Sequence, residues 1–201
     1  RNASLISIRG NDEVGDAEEG RLRSRIDKCN FVIDTTRPTT VKTRYRANDK
    51  TLLRVSRLTQ DSLSIEHQSR LLEIFCKEIK EVDVVIFSDF SYGMLKSNVV
   101  EKMLEIARRS KLTIGADSQS SSQVGDFNKF KNVSLIAPTE REARLALSDP
   151  DSGLVVLAEK LLHALDPRTV FLTLGKEGVL VTSRSGREVL TNHLPALNES
   201  P

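Results

Sequence analysis

Short apolar runs alternate along the chain with longer segments whose apolar positions recur every three or four residues. The apolar runs are typical of buried parallel strands, and they lie at 83–88, 112–116, 133–137 and 169–174. The periodic segments predict helices at 62–79, 97–107, 139–147 and 153–165. Because strands and helices in this order form right-handed crossovers, we predict an α/β fold with a mainly parallel sheet covered by helices.

Less regular segments flank this core on both sides. Strands are predicted at 4–8 and 31–33, with a highly charged helical segment at 13–26 between them. Near the other end, 178–183 and 187–191 surround Ser185-Gly186 and predict an antiparallel hairpin. The pattern therefore predicts that the whole chain is an α/β domain with short β additions.

The most unusual charge pattern lies between residues 37 and 57, where seven Lys and Arg residues stand against one carboxylate, that of Asp49. Residues 41–47 alternate between cationic and less polar side chains, 48–50 form a turn, and 52–57 make a second strand. Such a hairpin has one face suited to packing and one suited to anions. Two interpretations remain open: a site for a phosphorylated ligand, and a solvated edge strand that its charges protect from aggregation.

Composition narrows the possible functions. Of the 201 residues 29% are charged and 38% hydrophobic, which favours a folded core over disorder. The net charge of +2 predicts no general affinity for polyanions, so any anion site is local. Cys29 and Cys76 lie in no metal-binding or disulfide pattern. Because no apolar run approaches the roughly 20 residues that span a bilayer, we expect no membrane partner and a cytoplasmic location.

Candidate binding residues follow the predicted parallel strands, because open parallel sheets bind ligands beyond the carboxyl ends of their strands. Asp89 and Asp117 each follow one strand. Thr139 and Glu142 follow the third with the spacing of a capping box, so they either satisfy the start of a helix or present it to a phosphate. The segment 173–178 follows the fourth strand, and its glycines fit either close approach to a nucleotide or an ordinary turn.

Five short motifs occur in an order that is known from one protein family. They are Gly10-Asn-Asp-Glu-Val-Gly15, Arg37-Pro-Thr-Thr40, Ser88-Asp-Phe-Ser-Tyr-Gly93, Pro138-Thr-Glu-Arg-Glu-Ala143 and Thr173-Leu-Gly-Lys-Glu-Gly178. With this order and spacing, the chain resembles the ribokinase-like (PfkB) carbohydrate kinases over essentially its whole length. It most resembles the D-glycero-D-manno-heptose 7-phosphate kinase branch of ADP-heptose synthesis, which shares the strand at 37–44 and the following strand at 52–55.

The resemblance implies ATP-dependent and Mg²⁺-dependent phosphoryl transfer to a hydroxyl of a sugar or sugar phosphate. It implies a ribokinase-like three-layer α/β/α fold in which residues 35–59 form a small β lid, and a homodimer that forms through this lid. The nucleotide-binding residues that it implies are Thr139, Glu142, Thr173, Gly175 and Gly178. Glu142 is the residue expected to order Mg²⁺ through water. The substrate-binding residues that it implies are Arg37, Lys42, Arg44, Asp89 and Asp117.

The chain departs from the family pattern at three positions and at both ends. Tyr92 and Gln119 stand where the branch has lysines, and Thr139 stands where the family has asparagine. The resemblance implies that a sugar-binding strand precedes these residues and that a Gly-Ala-Gly-Asp segment with the catalytic base follows Pro201. We therefore expect the 201 residues to be the central part of one kinase domain, inactive by themselves.

Two other functions fit some of these features. A catalytically silent sensor of a sugar phosphate or nucleotide shares the fold, and the two absent lysines agree with it. A nucleic-acid-binding β-ribbon agrees with the charge of the hairpin. We disfavour the second because Tyr45 alternates onto the face opposite Lys42 and Arg44, which leaves no stacking platform among the cations.

Overall fold

The structure, a computed structural model, describes residues 2–48, 50–119, 126–186 and 188–197. Its strands are β1 Ser4–Gly10, β2 Lys28–Asp34, β3 Val41–Ala47, β4 Lys50–Arg57, β5 Val84–Asp89, β6 Thr113–Ser118, β7 Leu135–Ile136, β8 Thr169–Thr173, β9 Val179–Ser185 and β10 Glu188–Leu194. Its helices are α1 Glu13–Arg23, α2 Ile65–Glu78, α3 Ser97–Arg109, α4 Glu140–Leu147 and α5 Leu154–Leu165. Short 3₁₀ turns lie at Ile79–Glu81, Phe127–Lys129 and Gly175–Glu177. The predicted turn residue Asp49 lies outside the described residues.

The chain divides into two compact units. The first unit comprises residues 1–80 and 92–99, and the second comprises residues 81–91 and 100–201. Helix α3 begins in the first unit and continues into the second.

The second unit is built on a six-stranded sheet in the order β10-β9-β8-β7-β6-β5. Strands β5 to β8 are parallel to one another, while β9 is antiparallel to both β8 and β10. The prediction that the four apolar runs form one parallel sheet is therefore confirmed. Strand β7 is shorter than predicted, because the hydroxyl of Ser134 accepts the Ile114 N–H in the sheet ladder and Pro138 carries no N–H.

Helices α4 and α5 pack on this sheet. Helix α5 turns one apolar face inward, and Leu161, Leu162, Val170 and Leu172 are fully buried. Burying each such side chain stabilises the fold by about 1.5 to 3 kcal/mol. The strand register places Ile86 and Phe171 on the opposite face of the sheet, where they are 73% and 37% exposed.

The first unit pairs β1 and β2 in parallel, and helices α1 and α2 pack on these strands. Strand β2 begins at Lys28, before the predicted apolar run, because backbone pairing with β1 extends over polar residues. Asp12 caps α1 by accepting the Gly15 N–H, and it also accepts the Thr39 N–H. The hydrogen bonds with Thr39 and Gly15 lower the pKa of Asp12 from 3.8 to about 2.

The predicted cationic hairpin is present in the first unit as the antiparallel pair β3 and β4. Its register shifts between Tyr45 and Arg46, so that Leu52 has no cross-strand partner and forms a bulge. Tyr45, Leu53 and Val55 share one face and are 55%, 55% and 47% exposed. The hairpin is thus amphipathic, as the sequence predicts, with its apolar face uncovered in the described residues.

Replacement of two glycines by alanine should change stability in opposite directions. Gly178 has a φ of 99°, and a Cβ there would lie 2.0 Å from the carbonyl oxygen of Leu194. Gly178→Ala should therefore lower the free energy of unfolding by about 1 to 3 kcal/mol. Gly20 lies inside α1, and no described atom lies within 4 Å of its Cβ position. Gly20→Ala should raise stability by up to about 1 kcal/mol.

Urea unfolding of both variants measures these effects, with the slope of the transition as a check that only stability has changed. Equal midpoints for the two variants would show that the backbone at Gly178 tolerates a side chain.

Candidate active site

The carboxyl ends of the parallel strands bring several predicted residues to one edge of the second unit. Ser88 pairs with Asp117 and Asp89 with Ser118, so both aspartates lie at this edge. Thr139, which follows β7, forms a parallel bridge with Thr173, the last residue of β8. This edge is where ligands bind in open α/β sheets, as the sequence predicts.

The Asp89 carboxylate is bonded to three other residues of the second unit. Its Oδ1 accepts the Ser91 N–H at 2.9 Å, while its Oδ2 accepts the Ser118 hydroxyl at 3.1 Å and lies 2.5 Å from Lys129 Nζ. Asp89 is 3% exposed. Its carboxylate therefore organises the strand ends around it.

Asp117 and Glu142 form an acidic pair at the same edge. Asp117 is half-buried and Glu142 is buried. Burial raises the pKa of Asp117, and the charge of Glu142 raises it further, with a smaller contribution from Asp89. A cation that approached this pair would offset the repulsion between the carboxylates.

Thr139 and Glu142 make the capping box that their spacing predicts. The Thr139 hydroxyl accepts the Glu142 N–H at 3.3 Å, and Glu142 Oε2 accepts the Thr139 N–H at 2.8 Å. The two residues therefore satisfy the start of the helix, which is the structural role that their spacing predicts. It leaves the ligand interpretation open, because a capped helix start still directs its dipole to the same edge.

The segment 173–178 connects β8 to β9. Its glycines therefore serve an ordinary turn, one of the two roles that the sequence allows. The Thr173 hydroxyl donates to the carbonyl of Pro138 at 3.3 Å, which ties β8 to the start of α4. Gly175 has a φ of 61°, and no atom of the described residues lies within 4 Å of its Cβ position. This space leaves the backbone of Gly175 open to a ligand.

Arg37, in the first unit, has a side chain that is 7% exposed and that bonds to other groups of the same unit. Its Nε donates to Asp34 at 2.8 Å, and its other two nitrogens donate to the carbonyls of Tyr92 and Asp61. Arg37 thus ties three segments of this unit together. Its geometry suits a residue that shapes a site.

Lys42 and Arg44 lie on the cationic face of the hairpin, as predicted. Lys42 Nζ is 4.9 Å from the centroid of the Tyr92 ring, so an aromatic face supports this ammonium group. Arg44 is exposed and stands directly opposite Arg54 across the strands. Like charges in this position destabilise a hairpin, and an anion bound between them would relieve the repulsion.

Sequence reasoning missed two polar contacts near these residues. Lys129 reaches Asp89 from 40 residues further along the chain, and its side chain is 7% exposed. His67 Nδ1 lies 3.5 Å from Asp34 Oδ2 in the first unit. The buried rings of Phe127 and Phe130 around Lys129 are a signal that this lysine points inward.

In the described part of the chain, no three His, Cys, Asp or Glu side chains come close enough together to hold a metal ion. None of the described helices is both long and apolar enough to cross a membrane.

The chain is similar to known proteins over most of its length. The family model for pfkB family carbohydrate kinases matches residues 1–198. The bifunctional protein HldE of Helicobacter pylori is 31% identical over 175 residues, which cover 83% of the chain and 37% of that protein. HldE of Geotalea uraniireducens is 26% identical over 198 residues, which cover 96% of the chain and 39% of that protein. The chain thus spans about two fifths of the length of these curated relatives.

Solved structures show the same fold. Ribokinase from Giardia lamblia superposes with a TM-score of 0.71 at 18% identity, over 96% of this chain and 59% of that one. Phosphofructokinase-2 from Escherichia coli, in complex with fructose-6-phosphate, gives a TM-score of 0.71 at 13% identity, over 98% and 64%. At these identities the likeness concerns the fold alone, and it confirms the predicted ribokinase-like α/β class.

The family model covers nearly all of the chain, and one curated relative exceeds 30% identity over most of it. The chain therefore belongs to the pfkB family of carbohydrate kinases.

Proposed function

We propose that the protein of which this chain is part transfers a phosphoryl group from ATP to a hydroxyl of a sugar phosphate similar to heptose 7-phosphate. The observation that carries the substrate class is the cationic face of the hairpin, where Arg44 stands opposite Arg54. The similarity to HldE proteins supports the heptose as the leading acceptor. The phosphofructokinase-2 complex with fructose-6-phosphate supports a phosphorylated sugar in this fold.

The phosphate of the acceptor is proposed to bind Lys42 and Arg44. Phosphate oxygens accept charge-assisted hydrogen bonds, and an arginine can offer two in parallel. The ring of Tyr92 positions Lys42 without neutralising it. Tyr45, the one aromatic residue of the hairpin, is exposed on the face opposite Lys42 and Arg44, so the hairpin does not interleave a stacking ring with its cations, and a nucleic-acid role remains disfavoured.

The nucleotide is proposed to bind at the edge formed by Thr139, Thr173, Gly175 and Gly178. The exposed Gly175 backbone and the start of α4 offer N–H groups there. Glu142, at the start of α4, is proposed to order Mg²⁺ through water, since carboxylate oxygens suit this ion. Magnesium would neutralise phosphate charge during transfer, while Glu142 would hold its water.

These residues are proposed to be the central part of one kinase domain, and the enzyme is proposed to act in the cytoplasm. The exposed apolar face of β3 and β4 is proposed to pack against the lid of a second copy. A two-stranded hairpin is marginally stable alone, so covering Tyr45, Leu53 and Val55 would stabilise it.

Removing the Arg44 guanidinium should weaken binding of the sugar phosphate selectively. In the full-length enzyme, we expect Arg44→Ala to raise the KM for heptose 7-phosphate roughly ten- to hundredfold, which corresponds to about 1.5 to 3 kcal/mol. The KM for ATP should stay nearly unchanged. Steady-state kinetics with each substrate varied in turn measures both constants.

Lys50→Ala removes an equal charge at the start of β4 and serves as the control. An equal effect of both variants would indicate general electrostatics. An unchanged KM in Arg44→Ala would support a solvated edge strand, and salt-sensitive loss of nucleic-acid binding would support the β-ribbon. Sugar-phosphate binding without turnover by the unmodified protein would support the silent sensor.

Glu142 should contribute to turnover beyond its role in the capping box. Glutamine also closes a capping box, so Glu142→Gln keeps the acceptor for the Thr139 N–H but removes the charge. We expect it to lower kcat roughly 10- to 100-fold with little change in stability. Glu142→Ala should lower kcat and also cost about 1 kcal/mol of stability. Equal kcat in Glu142→Gln and the unmodified enzyme would leave only the structural role.

The acidic pair can be tested without measuring activity. Because the charge of Glu142 raises the pKa of Asp117, Glu142→Gln should bring that pKa down towards its ordinary value. Burial, the larger cause, should keep it raised in part. A pH titration of the Asp117 carboxyl by NMR measures the change. Glu140→Gln is the control, because Glu140 pairs with Arg144; the same shift in both variants would contradict the coupling.

A further inference from the structure

Ser91, two residues beyond Asp89, adopts an uncommon backbone conformation. Its φ is 60°, in the left-handed region that residues other than glycine rarely occupy. It follows β5 directly, at the edge of the sheet where ligands bind in this fold class. Residues persist in such conformations when their surroundings fix them, and they cluster at ligand clamps and active sites.

The Asp89 carboxylate is the group that fixes Ser91. Its Oδ1 accepts the Ser91 N–H at 2.9 Å. Its Oδ2 is in turn held by the Ser118 hydroxyl and the Lys129 ammonium group. The conformation of Ser91 therefore depends on contacts from β6 and from the 3₁₀ turn Phe127–Lys129.

Stability alone does not account for this ion pair. Asp89 and Lys129 have side chains that are 3% and 7% exposed, so both charges are taken out of water. A buried ion pair often stabilises a protein no better than apolar side chains of similar size. Here the apolar setting is already present, since Lys129 lies over the ring of Phe130, which packs against Phe87. A fully bonded polar network in such a setting does fix one geometry.

We propose that Lys129 and Ser118 are positioning residues for the sugar substrate, acting through Asp89. Together they hold residues 89–91 in the conformation in which Ser91 contacts the sugar. Ser91 is half-buried and accessible, while Asp89 is nearly inaccessible, so Asp89 serves as the anchor and Ser91 as the contact. This proposal rests on the proposed kinase function.

Variants of the full-length enzyme test the proposal with D-glycero-D-manno-heptose 7-phosphate as the probe. Lys129→Met should raise the KM for this sugar about tenfold or more and leave the KM for ATP within about twofold. Lys129→Arg, which keeps the charge, should restore most of the affinity. Lys131→Met is the matched control, because Lys131 is an exposed lysine two residues away and should leave both constants unchanged.

A double variant separates positioning from stability. Lys129→Met leaves Asp89 as a buried charge without its ion-pair partner, which by itself should lower the Tm. Asp89→Asn combined with Lys129→Met removes both charges and should recover most of the lost Tm, while the KM for the sugar stays raised. Recovery of both Tm and KM in the double variant would overturn the proposal, since the pair would then be purely structural.

Amide hydrogen exchange gives a readout that does not depend on catalysis. The Ser91 N–H should exchange slowly in the unmodified enzyme and at least about tenfold faster in Lys129→Met, because its acceptor is no longer fixed. Equal exchange rates would overturn the proposal, whatever the activity. An unmodified enzyme without sugar-dependent ATP turnover, but with faster Ser91 exchange in the variant, would overturn the kinase function and retain the role of Lys129 in fixing this turn.

Discussion

Parallel pairing of β5 to β8 is the constraint on which the candidate site depends. Parallel neighbours all end at the same edge, so residues far apart in sequence, such as Asp89 and Thr173, are brought to one side of the sheet. Helices α4 and α5 pack on one face of this sheet, where Val170 and Leu172 are fully buried. A substitution that shifted this register would alter the site as a whole.

The cations of this chain perform two different tasks. Arg37 and Lys129 are nearly inaccessible and bind acceptors of the protein itself, so they fix the shape of loops. Lys42 and Arg44 lie on the cationic face of the hairpin, where they are proposed to bind the phosphate of the substrate. Loss of the partner of a buried cation would lower the stability of the fold strongly. Loss of the ligand of an exposed cation would change that stability little. This difference suits a rigid scaffold that carries an adaptable anion site.

Glu142 shows that structural and functional roles can share one side chain. One carboxylate oxygen closes the capping box, while the charge of the same group raises the pKa of Asp117. The helix start and the acidic pair therefore occupy the same place for a physical reason: a helix N-terminus favours negative charge. A capping motif at a strand end is thus compatible with a ligand site.

The sequence by itself determined the order of the elements, the parallel strands, the capping box at Thr139 and the amphipathic hairpin. These follow from periodicity and spacing over a few residues, which local backbone geometry fixes. The order of the short motifs in the sequence also indicated the family. Tertiary structure alone decided that Arg37 faces inward, that Lys129 pairs with Asp89 and that Ser91 is left-handed. Those outcomes depend on partners up to 55 residues away, and no local pattern encodes which buried carboxylate a distant cation will meet.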